Sequence, residues 1–375
     1  MSPLTSAFEE AYLRPPEGVW RAPGRVNLIG EHTDHNDGLV LPFALAQGVS
    51  VAAARRDDGV LELRSLQAAA DGRVVRVDAL TPGAVDGWAA YPAGVAWVLR
   101  EHGVGGASLL IDSDLPQGAG LASSAALECA TALALCDLYG VDLERPELAR
   151  LAQRAENDFA GVPCGIMDQS AALLCTEGHA LMLDCGSGLS SRVPVTFDGL
   201  TLLVIDTRVA HTHGAGGYAV RRAECERAAA VLGVASLRDV EDLPEALGRL
   251  GEPVLRRRVQ HVVTENHRVE ATVGLLRAKA AAEVGGMLTA SHLSLRDQFE
   301  VSWPAADVAV EAALVAGARG GRMVGGGFGG SVIVLTADDR LERVRDAVAA
   351  AFEARRWAAP GFLEAVPSAG AARVV

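Results

Sequence analysis

Three separated stretches of this chain hold residue types that could do chemistry together. The first is Gly30-Glu31-His32-Thr33-Asp34-His35-Asn36-Asp37-Gly38, seven polar or charged residues in a row beside the apolar run 39–45. Carboxylates accept several hydroxyl hydrogens, and an imidazole donates or accepts, so the run suits a polyhydroxylated ligand. An exposed acidic loop is the plainer alternative. Arg25 is the nearby positive charge.

The second stretch is Leu115-Pro116-Gln117-Gly118-Ala119-Gly120-Leu121-Ala122-Ser123-Ser124. Gly118 and Gly120 let a backbone turn tightly and approach a ligand. Ser123 and Ser124 then fall in the first turn of a helix, where unpaired N–H groups and the helix dipole attract a phosphate. Their hydroxyls could hold that phosphate or its Mg²⁺; a glycine loop with a serine cap is the other reading. The third stretch is 159–170, where Asp168 stands in an apolar setting with Gly161, Pro163 and Gly165 shaping its approach. Burial would raise its pKa and a neighbouring arginine would lower it; a helix-capping aspartate is the alternative.

These groups need a scaffold to bring them together. The pattern predicts a strand at 107–111 running into the glycine loop and a long apolar helix over 121–139 leaving it. Strands at 49–54, 60–66 and 73–77, separated by turn residues, predict an antiparallel sheet. Helices follow at 86–101 and 145–159, the second opened by Pro146 and carrying Glu156 near its end. Residues 171–175 and 180–184 read as a hairpin. Residues 1–18 read as a leader with a short packed helix built on Phe8, Tyr12 and Leu13.

At 375 residues the chain is too long for one ordinary core. Composition shifts near 190–200, which divides it into domains at 1–195 and 196–375. The second half predicts a buried strand at 200–206, a helix starting after Tyr218 and reaching Leu232, and a long amphipathic helix or helix pair over 256–282. A helix at 307–315, a glycine run at 325–330 leading into a strand, and a helix at 341–352 complete it. That order is α+β. The glycine run would support close contact with phosphates or with the first domain. His211 and His213 lack a local carboxylate or cysteine to complete a metal site and read as a polar loop.

Half of the residues are apolar and 5% aromatic, so the core is mostly aliphatic. The formal net charge of -13 argues against nucleic acid and anionic membrane as partners. Six scattered cysteines without a CxxC predict reduced core thiols and a cytoplasmic protein. No stretch has the 18 uninterrupted apolar residues of a membrane span.

Taken together, 24–38, 115–126 and 325–330 resemble the three motifs of the GHMP small-molecule kinases. The wording Gly-Arg-Val-Asn-Leu-Ile-Gly-Glu-His-Thr-Asp resembles that of the family's galactokinases, as do 159–169, Ser294-Leu-Arg-Asp297 and the position of Tyr218. Three positions depart from the pattern: His35 where tyrosine is usual, Ala122 where serine is usual, and Trp303 where cysteine is common.

The resemblance implies an N-terminal domain like the second domain of ribosomal protein S5, a ferredoxin-like C-terminal domain, and a site in the cleft between them. It implies transfer of the ATP γ-phosphoryl group to the anomeric hydroxyl of D-galactose, with Mg²⁺. Asp168 would accept the proton and Arg25 would stabilise the transferring group. Glu31, His32, Thr33, Asp34, Gly165 and Tyr218 would address the sugar together with Asp168. Ser65, Trp88, Gly118, Ala119, Gly120, Leu121, Ala122, Ser123 and Ser124 would form the nucleotide site, and Ser124 and Glu156 would hold the metal. The expected state is a monomer or weak homodimer. The alternatives are a sugar 1-kinase for galactosamine, N-acetylgalactosamine or L-arabinose, and a noncatalytic sensor of galactose and ATP.

Overall fold

The computed structural model describes residues 3–116, 118–209 and 214–375. His211 and His213 therefore lie outside the described residues. In chain order the first half runs α1 (Pro3–Tyr12), β1 (Gly18–Asn27), β2 (Leu39–Val40), β3 (Pro42–Arg56), β4 (Val60–Ser65), β5 (Arg73–Arg76), α2 (Ala90–Leu99) and β6 (Gly106–Ser113). It continues with α3 (Ser123–Tyr139), α4 (Arg145–Arg154), α5 (Met167–Leu174), β7 (His179–Asp184) and β8 (Ser190–Pro194). The second half runs β9 (Leu200–Val209), α6 (Gly214–Leu232), α7 (Leu243–Arg249), α8 (Pro253–Arg277), α9 (Val284–Ser294), α10 (Pro304–Val315) and β10 (Gly320–Val324). It closes with β11 (Gly330–Ala337), α11 (Leu341–Glu353), β12 (Gly361–Glu364) and β13 (Ala372–Arg373).

The strands form three sheets, ordered β13-β1-β3-β6-β4-β5, β10-β11-β9-β12 and β2-β7-β8. Helix α3 is rich in Ala, Leu and Cys, and Thr131 is its only β-branched residue, a composition with high helix propensity. It is apolar on most of its circumference because it lies buried over β1 and β3. Gly140, in the left-handed region at φ 65°, ends it. Strand β9 is covered on both faces. Leu202 and Val204 join the core of the large sheet, whereas Leu203 and Ile205 join a second core built around Phe299 and Phe352.

The first core is not confined to the first half. Val269, Val284, Leu288, Val324 and Ile333 belong to it, so the two halves share one continuous apolar interior.

Three expectations are corrected. Residues 171–175 do not form a strand: 171–174 lie in α5, because Ala-Ala-Leu-Leu lacks β-branched residues and continues the helix begun at Met167. Strand β7 pairs instead with β2 and β8. The large sheet is mixed, since β4 and β6 run parallel; the crossover through α2 returns the chain in the same direction. Helix α6 begins at Gly214, so Tyr218 lies within it rather than before it. The six cysteines are free thiols, and no helix among the described residues is long and apolar enough to cross a membrane.

Gly320 abuts Gly285 so closely that a Cβ there would lie 1.8 Å from the Gly285 carbonyl oxygen, whereas a Cβ on Gly248 in α7 meets nothing within 4 Å. Gly320→Ala is expected to destabilise the fold by about 1–3 kcal/mol through overpacking. Gly248→Ala should instead stabilise it by about 0.5–1 kcal/mol through helix propensity. Urea unfolding of both variants checks the pair.

Candidate active site

Arg25 owes its position to an irregularity in β1. The register against β3 shifts between Pro23 and Arg25, and a bulge of this kind re-aims the next side chain. Gly24 lets the strand pass beneath the glycine loop: a Cβ there would lie 2.5 Å from Leu115 and 2.7 Å from the Leu121 carbonyl oxygen. The Arg25 N–H then donates to that carbonyl at 3.1 Å. Its guanidinium forks onto Asp168, Nε to Oδ1 and Nη2 to Oδ2, both at 2.9 Å. Nη1 donates to the Gly120 carbonyl at 2.6 Å. One side chain thus joins the carboxylate at the start of α5 to the glycine loop, through bidentate charge-assisted bonds.

Beside this pair is a pocket of about 420 Å³, lined by Arg25, Glu31, His32, Asp34, Gly165, Asp168 and Tyr218 among others. The loop that brings Glu31, His32 and Asp34 there turns at Gly30 (φ 98°) and His32 (φ 62°). A Cβ on Gly30 would lie 2.5 Å from the Leu39 carbonyl oxygen, so only glycine fits that left-handed turn. Thr33 points away from the pocket. Its hydroxyl sits 2.8 Å from the Gly30 carbonyl and 2.7 Å from the Leu39 carbonyl, which fastens the loop to itself.

Glu31 Oε1 accepts from Arg322 Nη2 at 3.0 Å and from the Gly325 N–H at 2.8 Å. His32 Nε2 donates to the Gly326 carbonyl at 3.2 Å, which leaves Nδ1 as an acceptor with no partner among the described residues. Burial, with His35 and His261 nearby, pushes the His32 pKa well below its ordinary value, so the ring is neutral. The buried Tyr218 hydroxyl likewise has no partner among the described residues. Asp34 is pushed up to about 7 by burial and then by the charges of Asp168 and Glu31. Gly165 makes room for it: a Cβ at 165 would lie 1.8 Å from Asp34 Oδ2.

On the other side of Arg25 lies a cleft of about 1080 Å³ lined by Ser65, Trp88, Tyr91, Gly118, Ser123, Ser124 and Leu127 among others. Gly118 (φ 70°) and Gly120 (φ 74°) turn the loop in the left-handed region, as does Ala122 (φ 60°) just before α3. Ala119 and Leu121 are buried by their side chains, and their carbonyls receive the Ser331 hydroxyl and the Arg25 N–H. These two residues shape the loop from within the core. The Trp88 indole N–H has no partner among the described residues, and the apolar walls around it suit a flat aromatic ring.

Glu156 sits behind Ser123 and Ser124 in a wide helical turn, Ala155–Ala160. It accepts from Gln169 Nε2 at 2.7 Å and from the Cys164 thiol at 3.4 Å. Burial raises its pKa, and the nearby Ser124 hydroxyl opposes that rise. The same Gln169 amide reaches Glu128 Oε2 at 3.1 Å. Glu128, buried among apolar residues of α3, is pushed well above its ordinary value by burial and by Glu156. No group of three or more His, Cys, Asp or Glu among the described residues forms a metal cluster. One carboxylate and one hydroxyl beside a phosphate-sized loop nevertheless fit Mg²⁺, which takes few protein oxygens and fills its octahedron with phosphates and water.

The structure therefore brings Arg25, Glu31, His32, Asp34, Gly165, Asp168 and Tyr218 to one pocket. Ser65, Trp88, Gly118, Ser123 and Ser124 meet at the other. Sequence reasoning missed Arg322, Gln169 and Glu128. Their signals were a cation inside an apolar strand, an amide beside Asp168, and an acid flanked by apolar residues in the middle of α3. The run Gly325-Gly326 contacts the loop carrying Glu31 and His32.

The GHMP kinases N terminal domain model matches residues 90–176, the GHMP kinases C terminal model residues 272–354, and the galactokinase galactose-binding signature residues 6–55. The chain is 52% identical to a galactokinase of Streptomyces coelicolor, across 98% of this chain and 97% of that one. It is 46% identical to a galactokinase of Mycobacterium tuberculosis, across 92% and 98%. Among solved structures, Lactococcus lactis galactokinase complexed with galactose superposes with a TM-score of 0.94 at 31% identity, over 99% of each chain. Methanococcus jannaschii mevalonate kinase shares the fold, with a TM-score of 0.68 at 16% identity over 93% of this chain and 98% of that one.

Asp34 yields a prediction with a defined sign. A carboxyl at about 7 in the folded protein, against an unfolded value of 3.8, keeps its proton longer when folded. Its contribution to stability therefore falls as pH rises from about 4 through 7. Asp34→Asn removes that penalty. The variant should match the parent at pH 4 and exceed it at pH 8 by about 1–3 kcal/mol, less than the full shift implies because Asp34 is only partly buried. Thermal unfolding at the two pH values checks this.

Proposed function

The chain belongs to the galactokinases of the GHMP kinase family, and we propose that its two pockets hold D-galactose and ATP on opposite sides of Arg25. It is an ATP-dependent phosphotransferase acting on D-galactose. The observation that carries the assignment of residues is the Arg25 bridge, which ties Asp168 in one pocket to the Gly120 carbonyl of the loop in the other.

In this reading the sugar lies in the smaller pocket. The unpartnered His32 Nδ1 and Tyr218 hydroxyl, the second oxygen of Glu31 and the Asp34 carboxylate address its hydroxyls. Gly165 contributes clearance for Asp34. The adenine lies against Trp88 and Ser65, and the triphosphate follows Gly118 to Ser124 towards the positive end of α3. Mg²⁺, held by Ser124 and Glu156, neutralises phosphate charge when bound. Both Asp168 oxygens accept from Arg25, yet each keeps a further lone pair for the anomeric hydroxyl. As the anomeric oxygen bonds to the γ-phosphorus, its proton passes to Asp168. The bond from that phosphorus to the β–γ bridging oxygen breaks, and ADP leaves with the electron pair. Arg25 balances charge on the transferring group, and the rest is positioning.

The domain boundary belongs near 195–196, supported by β9 to β12 forming a sheet of their own. Dependence on ATP and six free thiols support a cytoplasmic setting. The chain would act as a monomer or weak homodimer.

Incubation with Mg·ATP and a panel of hexoses, hexosamines and L-arabinose should give galactose 1-phosphate as the main product by NMR. Better turnover of another sugar would displace the assignment. Asp168→Asn should lower the single-turnover rate by about 10²–10⁴ while galactose still binds by calorimetry; a near-normal rate removes the proton-acceptor role. Ser124→Ala and Glu156→Gln should each shift the Mg²⁺ titration of rate to higher concentration, and unchanged titrations would take them out of the metal site.

A further inference from the structure

Arg322 lies in β10 of the second half, fully buried and absent from the lining of either pocket. Its Nη2 donates to the Asn27 carbonyl at 2.6 Å and to Glu31 Oε1 at 3.0 Å, and its Nε donates to the Leu28 carbonyl at 3.0 Å. A planar guanidinium can serve these three acceptors from one fixed position. Glu31 Oε1 takes a second bond, from the Gly325 N–H. That oxygen is saturated, so the carboxylate offers a ligand only Oε2. Neighbouring groups of the second half grip the same loop: His261 donates from Nε2 to the Glu31 carbonyl at 3.0 Å, and Glu265 Oε1 accepts the Gly30 N–H at 3.1 Å.

We propose that Arg322 is a positioning residue for the sugar pocket, acting from the second half through Glu31. It turns Glu31 into a single-oxygen acceptor of fixed direction and holds the 27–31 backbone at the distance the pocket requires. This rests on the reading of Glu31 as an acceptor of sugar hydroxyls.

The test compares Arg322→Lys, Arg322→Met, Glu31→Gln and the Arg322→Met/Glu31→Gln double variant in galactose calorimetry, steady-state kinetics and thermal unfolding. Lysine keeps the charge, so this variant should fold, but one ammonium cannot serve all three acceptors along the fork directions. Galactose should bind it 10–100-fold more weakly, with a matching rise in KM for galactose. KM for ATP should stay within twofold, and kcat at saturating sugar should fall less than threefold. Arg322→Met should weaken binding further in the parent than in the Glu31→Gln background, because the effect travels through Glu31. A residue serving stability alone would lower Tm and leave the galactose Kd in place. Folded Arg322→Lys binding galactose within twofold of the parent, while Glu31→Gln binds weakly, would overturn the positioning role. Glu31→Gln binding galactose normally would overturn instead the reading of Glu31 beneath it. An equal loss from Arg322→Met in both backgrounds would show that Glu31 is not the route.

Discussion

Five carboxylates converge within this fold, and everything near the two pockets answers to their burial. Glu31, Asp34, Glu128 and Glu156 are largely withdrawn from water, and Asp168 is three-quarters covered. Isolated buried charges are too costly to keep. Two of the five are matched by arginine: Asp168 by Arg25, and Glu31 by Arg322. The other three, Asp34, Glu128 and Glu156, are driven by burial towards their neutral forms. His32 is driven the same way and stays uncharged. The site is rich in acids but poor in net charge, which is how an acidic chain can assemble it without an unpaired ion in its core.

Arg322 also ties the two halves together. Arg322 and the backbone of Gly325 and Gly326 come from the second half, yet their partners are Glu31, His32 and the carbonyls of the 27–28 segment in the first. The glycine run therefore works as a backbone cradle for acceptor-side residues. A side chain there would press on the first half: a Cβ on Gly325 (φ 84°) would lie 3.2 Å from the Gly120 carbonyl oxygen. The shared apolar core behind it, with Val269 and Val324, keeps that cradle at a fixed distance.

Much of the site was legible in the sequence because polar residues clustered where the surrounding pattern was apolar. Glu31, His32 and Asp34 announced themselves in this way, and the glycine spacing placed Ser123 at a helix start. Thr33 misled because a hydroxyl between a histidine and an aspartate reads as a ligand group, whereas its partners are carbonyls of its own loop. Arg322 was illegible as a partner of Glu31 because the pair is 291 residues apart and joined only by the packing of the halves. Glu265 and His261 lie in the long helix α8, and nothing in its amphipathic pattern distinguishes the charged residues that meet the 30–31 loop from those that do not. In the fold, helices and buried strands followed their periodicity. Residues 171–175 failed because a short apolar run carries no period, and helix propensity together with the start at Met167 decided it.

The same electrostatics divides the labour between the pockets. An uncharged polyol loses little by entering a space lined with carboxylates that need hydroxyl donors, and it supplies the bonds that buried Nδ1 of His32 and the Tyr218 hydroxyl lack. A triphosphate meets the opposite condition. It has no hydrogen to give those oxygens, and in the proposed reading it lies instead at the N-terminus of α3, whose dipole favours anions. Arg25 stands at the border, with one edge on Asp168 and one nitrogen on the loop. Because its N–H is anchored to Leu121 and its guanidinium to both sides, it cannot move towards one pocket without breaking a bond to the other. The bulge at Pro23–Arg25 and the missing side chain at Gly24 thus fix the distance between the Asp168 carboxylate and the glycine loop, which in the proposed reading is the distance that a direct transfer between the pockets must satisfy.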